Sequence, residues 1–135
     1  MWTRVVAVGL VGGVVGAGAL ALLDQHPPPP PPAGTIAYSA PDFHDVLVAR
    51  ADGSGVRRLT SAQGPQFDPS FSPDGSLIAY RDSRHGINED DEIWAMDRDG
   101  GHARNLTRDH GNDWSPAWSP DRRTIAFAST RSGSL

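Results

Sequence analysis

The side chains that could bind a metal ion are four histidines and one acidic loop. His44, His85, His102 and His110 lie in or beside predicted loops, and none of them forms a short His-x-x-x-His pair. Residues 88–92 are rich in carboxylates but lack the alternating ligands and the glycine of an EF-hand loop. Both groups are therefore expected to be solvated loop side chains, and the sequence predicts no metal site and no cofactor.

Residues suited to covalent catalysis are either missing or repeated. The chain contains no cysteine and no Gly-x-Ser-x-Gly nucleophile elbow. Asp74 recurs as Asp121 and Arg84 recurs as Arg131, each 47 residues later. A residue required by the geometry of a repeated unit recurs in every copy, whereas an active-site residue usually occurs once. We therefore predict that these four side chains are structural and that the chain is not an enzyme.

These residues belong to a sequence repeat with a period of 47 residues. Residues 59–86 align without a gap on residues 106–133, and 11 of the 28 positions are identical. A period of this size is typical of stacked repeat architectures. The centre of the repeat is a turn motif that proline, aspartate and glycine favour. Its residues are Phe71, Ser72, Pro73, Asp74 and Gly75 in one copy, and Trp118, Ser119, Pro120 and Asp121 in the next.

Short apolar runs separated by turn signals predict a chain of strands. They cover residues 35–39, 46–50, 56–59, 68–71, 77–81, 92–97, 103–106, 115–118 and 124–129. Asp-Gly pairs at 52–53 and 99–100 fall between consecutive runs, as in tight hairpins. Several runs are apolar on both faces and therefore need a cover on both sides. Each repeat is thus predicted to be a four-stranded antiparallel sheet stacked between its neighbours, in an all-β fold.

The first 33 residues have a different character from the rest. Residues 5–23 carry no charge, so residues 1–23 are predicted to be a cleaved signal peptide or a membrane anchor in the form of a hydrophobic helix. If the segment is retained, Arg4 favours an N-terminus inside and the remainder outside the membrane. Residues 24–33 contain six consecutive prolines and are predicted to be a polyproline linker, a stiff spacer of roughly 19 Å.

The charge pattern excludes one class of partner. The net charge is −4, and all 12 basic residues are arginines dispersed among aspartates. Nucleic-acid binding requires a concentrated basic surface, which this pattern lacks. No nucleic-acid partner is therefore predicted.

The repeat resembles the WD40-like (PD40) repeat of TolB-type β-propellers. The shared features are an aromatic residue before Ser-Pro-Asp-Gly, an Ile-Ala-Tyr strand, a loop ending in Ser-Arg, and the runs Ile-Trp-Ala-Met-Asp-Arg-Asp-Gly-Gly and Arg-Asn-Leu-Thr. The resemblance covers about residues 34–133. The third copy departs from it at Arg122 and Arg123, where the turn usually has glycine and lysine, and this predicts a looser hairpin.

The resemblance implies four-stranded blades around a central channel, and residues 34–135 hold strands for about two and a quarter of them. We expect an N-terminal fragment, a truncated product, or a chain that self-associates through open blade edges. The family implies non-enzymatic binding of a protein or peptide outside the cytoplasmic membrane. The alternatives are the gating propeller of an exported prolyl-oligopeptidase-type serine peptidase whose catalytic domain is absent, and an unfolded product.

Positions that differ between the copies are better candidates for a function than positions that recur. Two segments differ, residues 82–91 and residues 109–114, and loops of this kind carry binding residues. We therefore predict an interaction surface on these loops. Its candidate residues are Asp82, Arg84, His85, Asp90, Asp91, His110, Asp113 and Trp114.

Overall fold

The computed structural model of the chain describes residues 4–7, 34–40, 45–61, 63–86, 89–108 and 110–131. These residues form ten strands and no helix. The strands are β1 (Arg4–Ala7), β2 (Thr35–Ser39), β3 (Val46–Arg50), β4 (Arg57–Arg58), β5 (Gln66–Phe71), β6 (Leu77–Asp82), β7 (Glu92–Asp97), β8 (Arg104–Asn105), β9 (Asp113–Trp118) and β10 (Thr124–Ser129). All nine predicted strands are present, each within two residues of its predicted bounds.

The strands form three sheets, which we call the first, second and third blades. The first blade has the order β2-β3-β4, the second β5-β6-β7-β8, and the third β1-β10-β9. Neighbouring strands are antiparallel, except that β1 runs parallel to β10. The second blade is therefore the complete four-stranded antiparallel unit that the repeat predicts.

Apolar layers separate the blades. The buried residues of the first layer come from the first and second blades and are Val46, Val48, Ile78, Tyr80 and Met96. Those of the second layer come from the second and third blades and are Ala79, Ile93, Ile125 and Phe127. Ile78 and Ala79 belong to different layers because successive side chains of a strand point to opposite faces. The second blade is thus covered on both faces, as its doubly apolar strands predict.

The Ser-Pro-Asp-Gly turn joins β5 to β6 through a hydrogen-bonded ring. The Ser72 hydroxyl donates to Asp74 Oδ1 at 2.7 Å and accepts the backbone N–H of Leu77 at 3.0 Å. The Gly75 N–H donates to the Ser72 carbonyl at 2.7 Å, and Gly75 has a φ of 66°. Glycine accepts this left-handed conformation at little cost, which explains its place in the motif.

The corresponding turn between β9 and β10 has the same bonds without the glycine. Ser119 Oγ donates to Asp121 Oδ1 at 2.6 Å and accepts the N–H of Thr124 at 3.0 Å. Arg122 takes the glycine position with a φ of 62°, and its N–H donates to the Ser119 carbonyl at 3.0 Å. The prediction of a looser hairpin is therefore wrong for the backbone, because the hydrogen-bonded ring is complete in this copy.

In each of the first two blades, a threonine hydroxyl accepts a backbone N–H of a strand. Thr60 Oγ1 accepts the N–H of Val46 at 2.9 Å, and Thr107 Oγ1 accepts the N–H of Ile93 at 3.0 Å. Both bonds link residues 14 positions apart, at equivalent places in the repeat. The threonine hydroxyl thus satisfies the first N–H of β3 and the second of β7, and this accounts for the Leu-Thr end of the repeat motif.

Side chains also connect one blade to the next. The Trp118 indole N–H donates to the Ser70 carbonyl at 3.1 Å, from the third blade to the second. The Arg57 guanidinium donates to the Asp99 carbonyl at 2.9 Å, from the first blade to the second. Each bond satisfies a backbone carbonyl of the second blade, so the sheets are positioned by polar contacts as well as by their apolar layers.

The N-terminus differs from the predicted helix where the structure describes it. Arg4–Ala7 is strand β1, which is paired with β10 rather than helical. Val5 and Val6 are β-branched and suit a strand, and pairing with a distant strand is not visible in a local pattern. The remainder of the predicted helix and the polyproline linker lie outside the described residues. Within the described residues, no helix is long and apolar enough to cross a membrane.

Candidate functional site

A cavity of about 360 Å³ opens at one end of the second blade. It lies where the β6–β7 loop meets the connection from β8 to β9, because alternate connections of an antiparallel sheet share one end. The lining side chains are mostly charged or aromatic. They are Asp82, Arg84, His85, Asp90, Glu92, Trp94, Asn105, Arg108 and His110. The Ser-Pro-Asp turns lie at the opposite end of the strands.

One wall of the cavity is an arginine fixed between a carboxylate and an indole ring. Arg84 Nε and Nη2 donate to the two carboxylate oxygens of Asp82, each at 2.9 Å. The Arg84 guanidinium carbon lies 4.1 Å from the Trp94 ring centroid, within the range of a cation–π contact. The hydrogen bonds that Arg84 donates to Asp82 raise the pKa of Arg84, so the wall is a charged and preorganised surface.

The opposite wall presents an arginine from a constrained turn. Asn105 Oδ1 accepts the N–H groups of Thr107 at 2.9 Å and Arg108 at 3.3 Å. Arg108 has a φ of 39°, in the left-handed region that non-glycine residues rarely adopt. Its exposed guanidinium forms no hydrogen bond or ion pair with another described residue. The turn thus places an exposed cation in the lining of the cavity.

The first blade has a salt bridge where the second blade has the cavity. Arg58 occupies the position equivalent to Asn105, and Arg58 Nη2 lies 2.6 Å from Asp45 Oδ2. Asp45 is equivalent to Glu92, and each accepts a hydrogen bond from the threonine hydroxyl of its own blade, Thr60 for Asp45 and Thr107 for Glu92. The second blade thus has the short Asn105 in the lining of the cavity, at the position where the first blade has a long arginine in a salt bridge.

The two recurrent arginines have different partners. Arg131, two residues after the end of β10, forms an ion pair with the buried Asp113 of β9. The position equivalent to Asp113 in the second blade is Gln66, which is uncharged. Arg84 pairs with Asp82 instead and thereby reaches the cavity. Two differences between the copies, Gln66 in place of Asp113 and Asp82 in place of Ser129, accompany this change of partner.

The structure brings together five of the eight predicted interaction residues. Asp82, Arg84, His85, Asp90 and His110 line the cavity.

The other three candidates lie outside the cavity. Asp91 is buried, and its Oδ2 lies 2.5 Å from Nη2 of Arg81. Asp113 is buried in the ion pair with Arg131, and burial raises its pKa although Ser129 and Arg131 lower it. Trp114 is a half-buried residue of β9. Asp91 and Asp113 thus form ion pairs inside the protein rather than present a surface.

Four cavity residues were missed by sequence reasoning. They are Glu92, Trp94, Asn105 and Arg108. Trp94 lies in an apolar strand, where an aromatic side chain is typical of packing between blades. Asn105 and Arg108 belong to the repeat motif, yet their equivalents are Arg58 and Ser61. The rule that differing positions carry function would have identified both if it had been applied to the whole repeat.

No metal-binding group is found in the described part of the chain. Its histidines, aspartates and glutamates include no cluster of three that could hold an ion. His102 lies in the β7–β8 hairpin, where its Nδ1 is 2.6 Å from Asp97 Oδ2. His44, Asn88 and Asp109, which belong to predicted loops, lie outside the described residues.

Comparisons with known proteins agree with the blade architecture. The sequence profile of the TolB beta propeller domain (PD40) matches residues 48–135. A protein TolB homolog of Chlorobium luteolum is 43% identical over 42 residues, which are 31% of this chain and 10% of that protein.

Two solved structures are similar to this chain. The putative TolB from Agrobacterium tumefaciens has a TM-score of 0.65 and 27% identity, over 79% of this chain and 38% of that one. TolB from Acinetobacter baumannii has a TM-score of 0.62 and 25% identity, over 75% of this chain and 26% of that one. This chain therefore covers less than half of each relative. The predicted resemblance and fold class are confirmed, and the chain belongs to the TolB β-propeller (PD40) family.

Proposed function

We propose that the chain is a non-enzymatic module that binds a protein or peptide, and that the cavity of the second blade is the binding site. The observation that carries this proposal is the exposed guanidinium of Arg108 at the mouth of a cavity with an aromatic and charged wall. Unsatisfied charge beside apolar surface is a common feature of recognition sites. In the first blade the residues equivalent to Asn105 and Glu92 form a salt bridge, so the second blade's pair is not a requirement of the blade fold.

The lining chemistry favours a peptide over a small apolar ligand. Acidic side chains, Asp90 and Glu92, share the cavity with Arg108 and with two histidines, His85 and His110. Donors and acceptors at one site suit the mixed polar groups of a peptide chain. The volume of about 360 Å³ is at the lower end of ligand pockets and accommodates a few side chains of a partner.

We further propose that the module acts outside the cytoplasmic membrane. The support is the uncharged run at residues 5–23, which suits a signal peptide or an anchor, followed by the polyproline spacer. A spacer of roughly 19 Å would hold the propeller away from a membrane surface. Mass spectrometry of the mature N-terminus from cells distinguishes a cleaved segment from a retained one.

The binding proposal is tested by filling the cavity with the residue that the first blade uses. Asn105→Arg places an arginine opposite Glu92, as Arg58 lies opposite Asp45. A synthetic library of random dodecamer peptides is selected on the purified full chain, and the enriched peptides are measured by calorimetry. We expect Asn105→Arg and Arg108→Ala each to weaken binding by tenfold or more, and the peptides to be recovered intact.

Arg123→Ala is the matched control for this experiment. Arg123 is exposed and lies in the turn between β9 and β10, at the opposite end of the strands. Its removal is expected to leave peptide affinity unchanged. Equal affinity for all variants would overturn the assignment of the cavity, and a library without enriched peptides would overturn the binding function.

A further inference from the structure

The charged side chains of the cavity fall into two groups, those that the blade already binds and those that it does not. The charged lining residues are Asp82, Arg84, Asp90, Glu92 and Arg108. Asp82 and Arg84 bind each other through two hydrogen bonds of 2.9 Å. Glu92 accepts a hydrogen bond from the Thr107 hydroxyl. Three of the five charges are therefore held by residues of the blade itself.

The second group consists of one anion and one cation. The carboxylate of Asp90 and the guanidinium of Arg108 form no hydrogen bond or ion pair with each other or with any other described residue. Both residues are exposed. The lining histidines each carry a donor and an acceptor when neutral, so they do not select one sign of charge. The cavity thus offers a ligand one negative and one positive side chain.

Both of these residues have an unusual backbone conformation. Asp90 has a φ of 58° and Arg108 a φ of 39°, in the left-handed region. Aspartate is enriched there among the residues other than glycine, but arginine is not. The Asn105 side chain supports the turn of Arg108 by accepting its N–H at 3.3 Å. Backbone strain of this kind is concentrated at ligand-binding sites, where it places a side chain in a defined position.

The repeat does not require either charge. The residue equivalent to Arg108 in the first copy is Ser61. Asp90 lies in the β6–β7 loop, residues 83–91, whereas the corresponding loop of the first blade is shorter and covers residues 40–45. A charge that served the geometry of the blade would recur in both copies. These two charges are therefore explained better by a ligand than by the fold.

We propose that the cavity binds a dipolar segment of a partner protein, in which an acidic and a basic side chain lie close together. The acidic group binds Arg108, and the basic group binds Asp90. Hydrogen bonds between ionised groups are stronger than those between neutral groups, so both contacts favour such a segment. A segment with charges of one sign leaves one of the two cavity residues without a partner or beside a like charge. The inference rests on the proposed binding function of the cavity and specifies the chemistry of the partner.

Four peptide libraries of defined charge test this inference. All are dodecamers with blocked ends, so that no terminal charge contributes. The first library contains acidic and basic residues, the second only acidic, the third only basic, and the fourth neither. Each library is selected on the purified full chain, and the enriched peptides are measured by calorimetry. We expect the best peptides of the first library to bind at least tenfold more tightly than those of the other three.

Two outcomes would contradict the inference in different ways. If peptides with one sign of charge bind as tightly as the dipolar peptides, the dipolar partner is wrong, although the binding function stands. If no library yields enriched peptides, the binding function itself is overturned, and the inference with it.

Variants that remove one charge identify the two ends of the site. In Arg108→Gln the acidic residues of a dipolar peptide lose their partner, so we expect its affinity to fall at least tenfold, to that of a basic peptide. In Asp90→Asn we expect the corresponding fall to the affinity of an acidic peptide. Unchanged preferences in both variants would show that these residues do not select the partner.

Arg123→Gln and Asp99→Asn are the matched controls. Both residues are exposed and lie in turns at the other end of the strands. Each control removes the same charge as its counterpart at the cavity, and so produces the same change in the net charge of the chain. We expect both controls to keep the preference for dipolar peptides. An equal loss in the controls would attribute the preference to net charge and would overturn the assignment to Asp90 and Arg108.

Discussion

Arg122 of the third blade forms a salt bridge with Asp74 of the second, and the two residues belong to equivalent turns of the repeat. Arg122 takes the position that glycine holds in the preceding copy, and it has a φ of 62°. The strain of a left-handed arginine is therefore accompanied by a contact between blades that a glycine does not provide. Although burial opposes it, hydrogen bonds from Ser72 and Ser76 and the charge of Arg122 lower the pKa of Asp74.

A double-mutant cycle measures this contact. We expect Asp74→Asn and Arg122→Gly to show a coupling free energy of about 0.5–1 kcal/mol at low salt, because both side chains are partly exposed. The coupling should decrease in 1 M salt. The same cycle with Asp68→Asn, which is on the second blade but away from Arg122, should show none. Zero coupling between Asp74 and Arg122 at low salt contradicts the salt bridge.

The two turn serines are predicted to contribute different amounts to the unfolding free energy, because one hydroxyl is more buried than the other. Ser72 is 3% exposed, whereas Ser119 is half-buried, and both hydroxyls make the same two hydrogen bonds. Ser72→Ala leaves the Leu77 N–H unsatisfied in a buried place and should cost about 1–3 kcal/mol of unfolding free energy. Ser119→Ala should cost about 0.5–1.5 kcal/mol, because water replaces the hydroxyl more easily. Urea unfolding of both variants compares them, and equal losses would show that burial does not set the cost.

Thr60→Val tests the hydrogen bond between the Thr60 hydroxyl and the backbone of the first blade. Valine has nearly the same shape but lacks the hydroxyl that accepts the Val46 N–H. The buried donor then has no partner, and we expect a loss of about 1–3 kcal/mol in unfolding free energy. Thr60→Ser keeps the hydroxyl and is the control, with a smaller loss from one methyl group. If serine were as damaging as valine, packing rather than the hydrogen bond would be responsible.

His102 predicts a pH-dependent contact in the β7–β8 hairpin. Its hydrogen bond with Asp97, and then the charge of Asp97, raise the pKa of His102 above its ordinary value of 6.5. Because the folded pKa is the higher one, the stabilisation is complete below about pH 6.5 and is lost as the pH rises through the folded value. NMR titration of the ring should therefore show a raised pKa that Asp97→Asn returns towards 6.5. Asp99→Asn is the control, because it removes a weaker charge effect and should lower the pKa of His102 less. An unchanged pKa of His102 in Asp97→Asn would contradict the contact.

The strands were predictable because the information that specifies them is local and occurs twice. Asp-Gly and Ser-Pro-Asp turns delimit each apolar run, and alignment of the copies fixes the number of residues between them. The doubly apolar strands Glu92–Asp97 and Thr124–Ser129 then required sheets on both faces. The sequence therefore predicted both the blade and its stacking.

The candidate site was only partly predictable, because it depends on side-chain length and on distant pairing. Comparison of the copies identified the loops, but not Asn105 and Arg108, which line the cavity together with them. Arg84 pairs with Asp82, whereas its counterpart Arg131 pairs with Asp113, a residue 18 positions before it. Strand β1 pairs with residues more than 100 positions away, and such pairing leaves no signal in local periodicity.

The threonine hydrogen bonds join residues only 14 positions apart, inside a repeat of 47. Each of the first two sheets therefore has its threonine hydrogen bond within its own part of the sequence. Tandem duplication of one such unit in the gene would insert a ready-made blade whose two faces already match both neighbours. Propellers of this kind can thus change their number of blades by recombination, without redesign of any core.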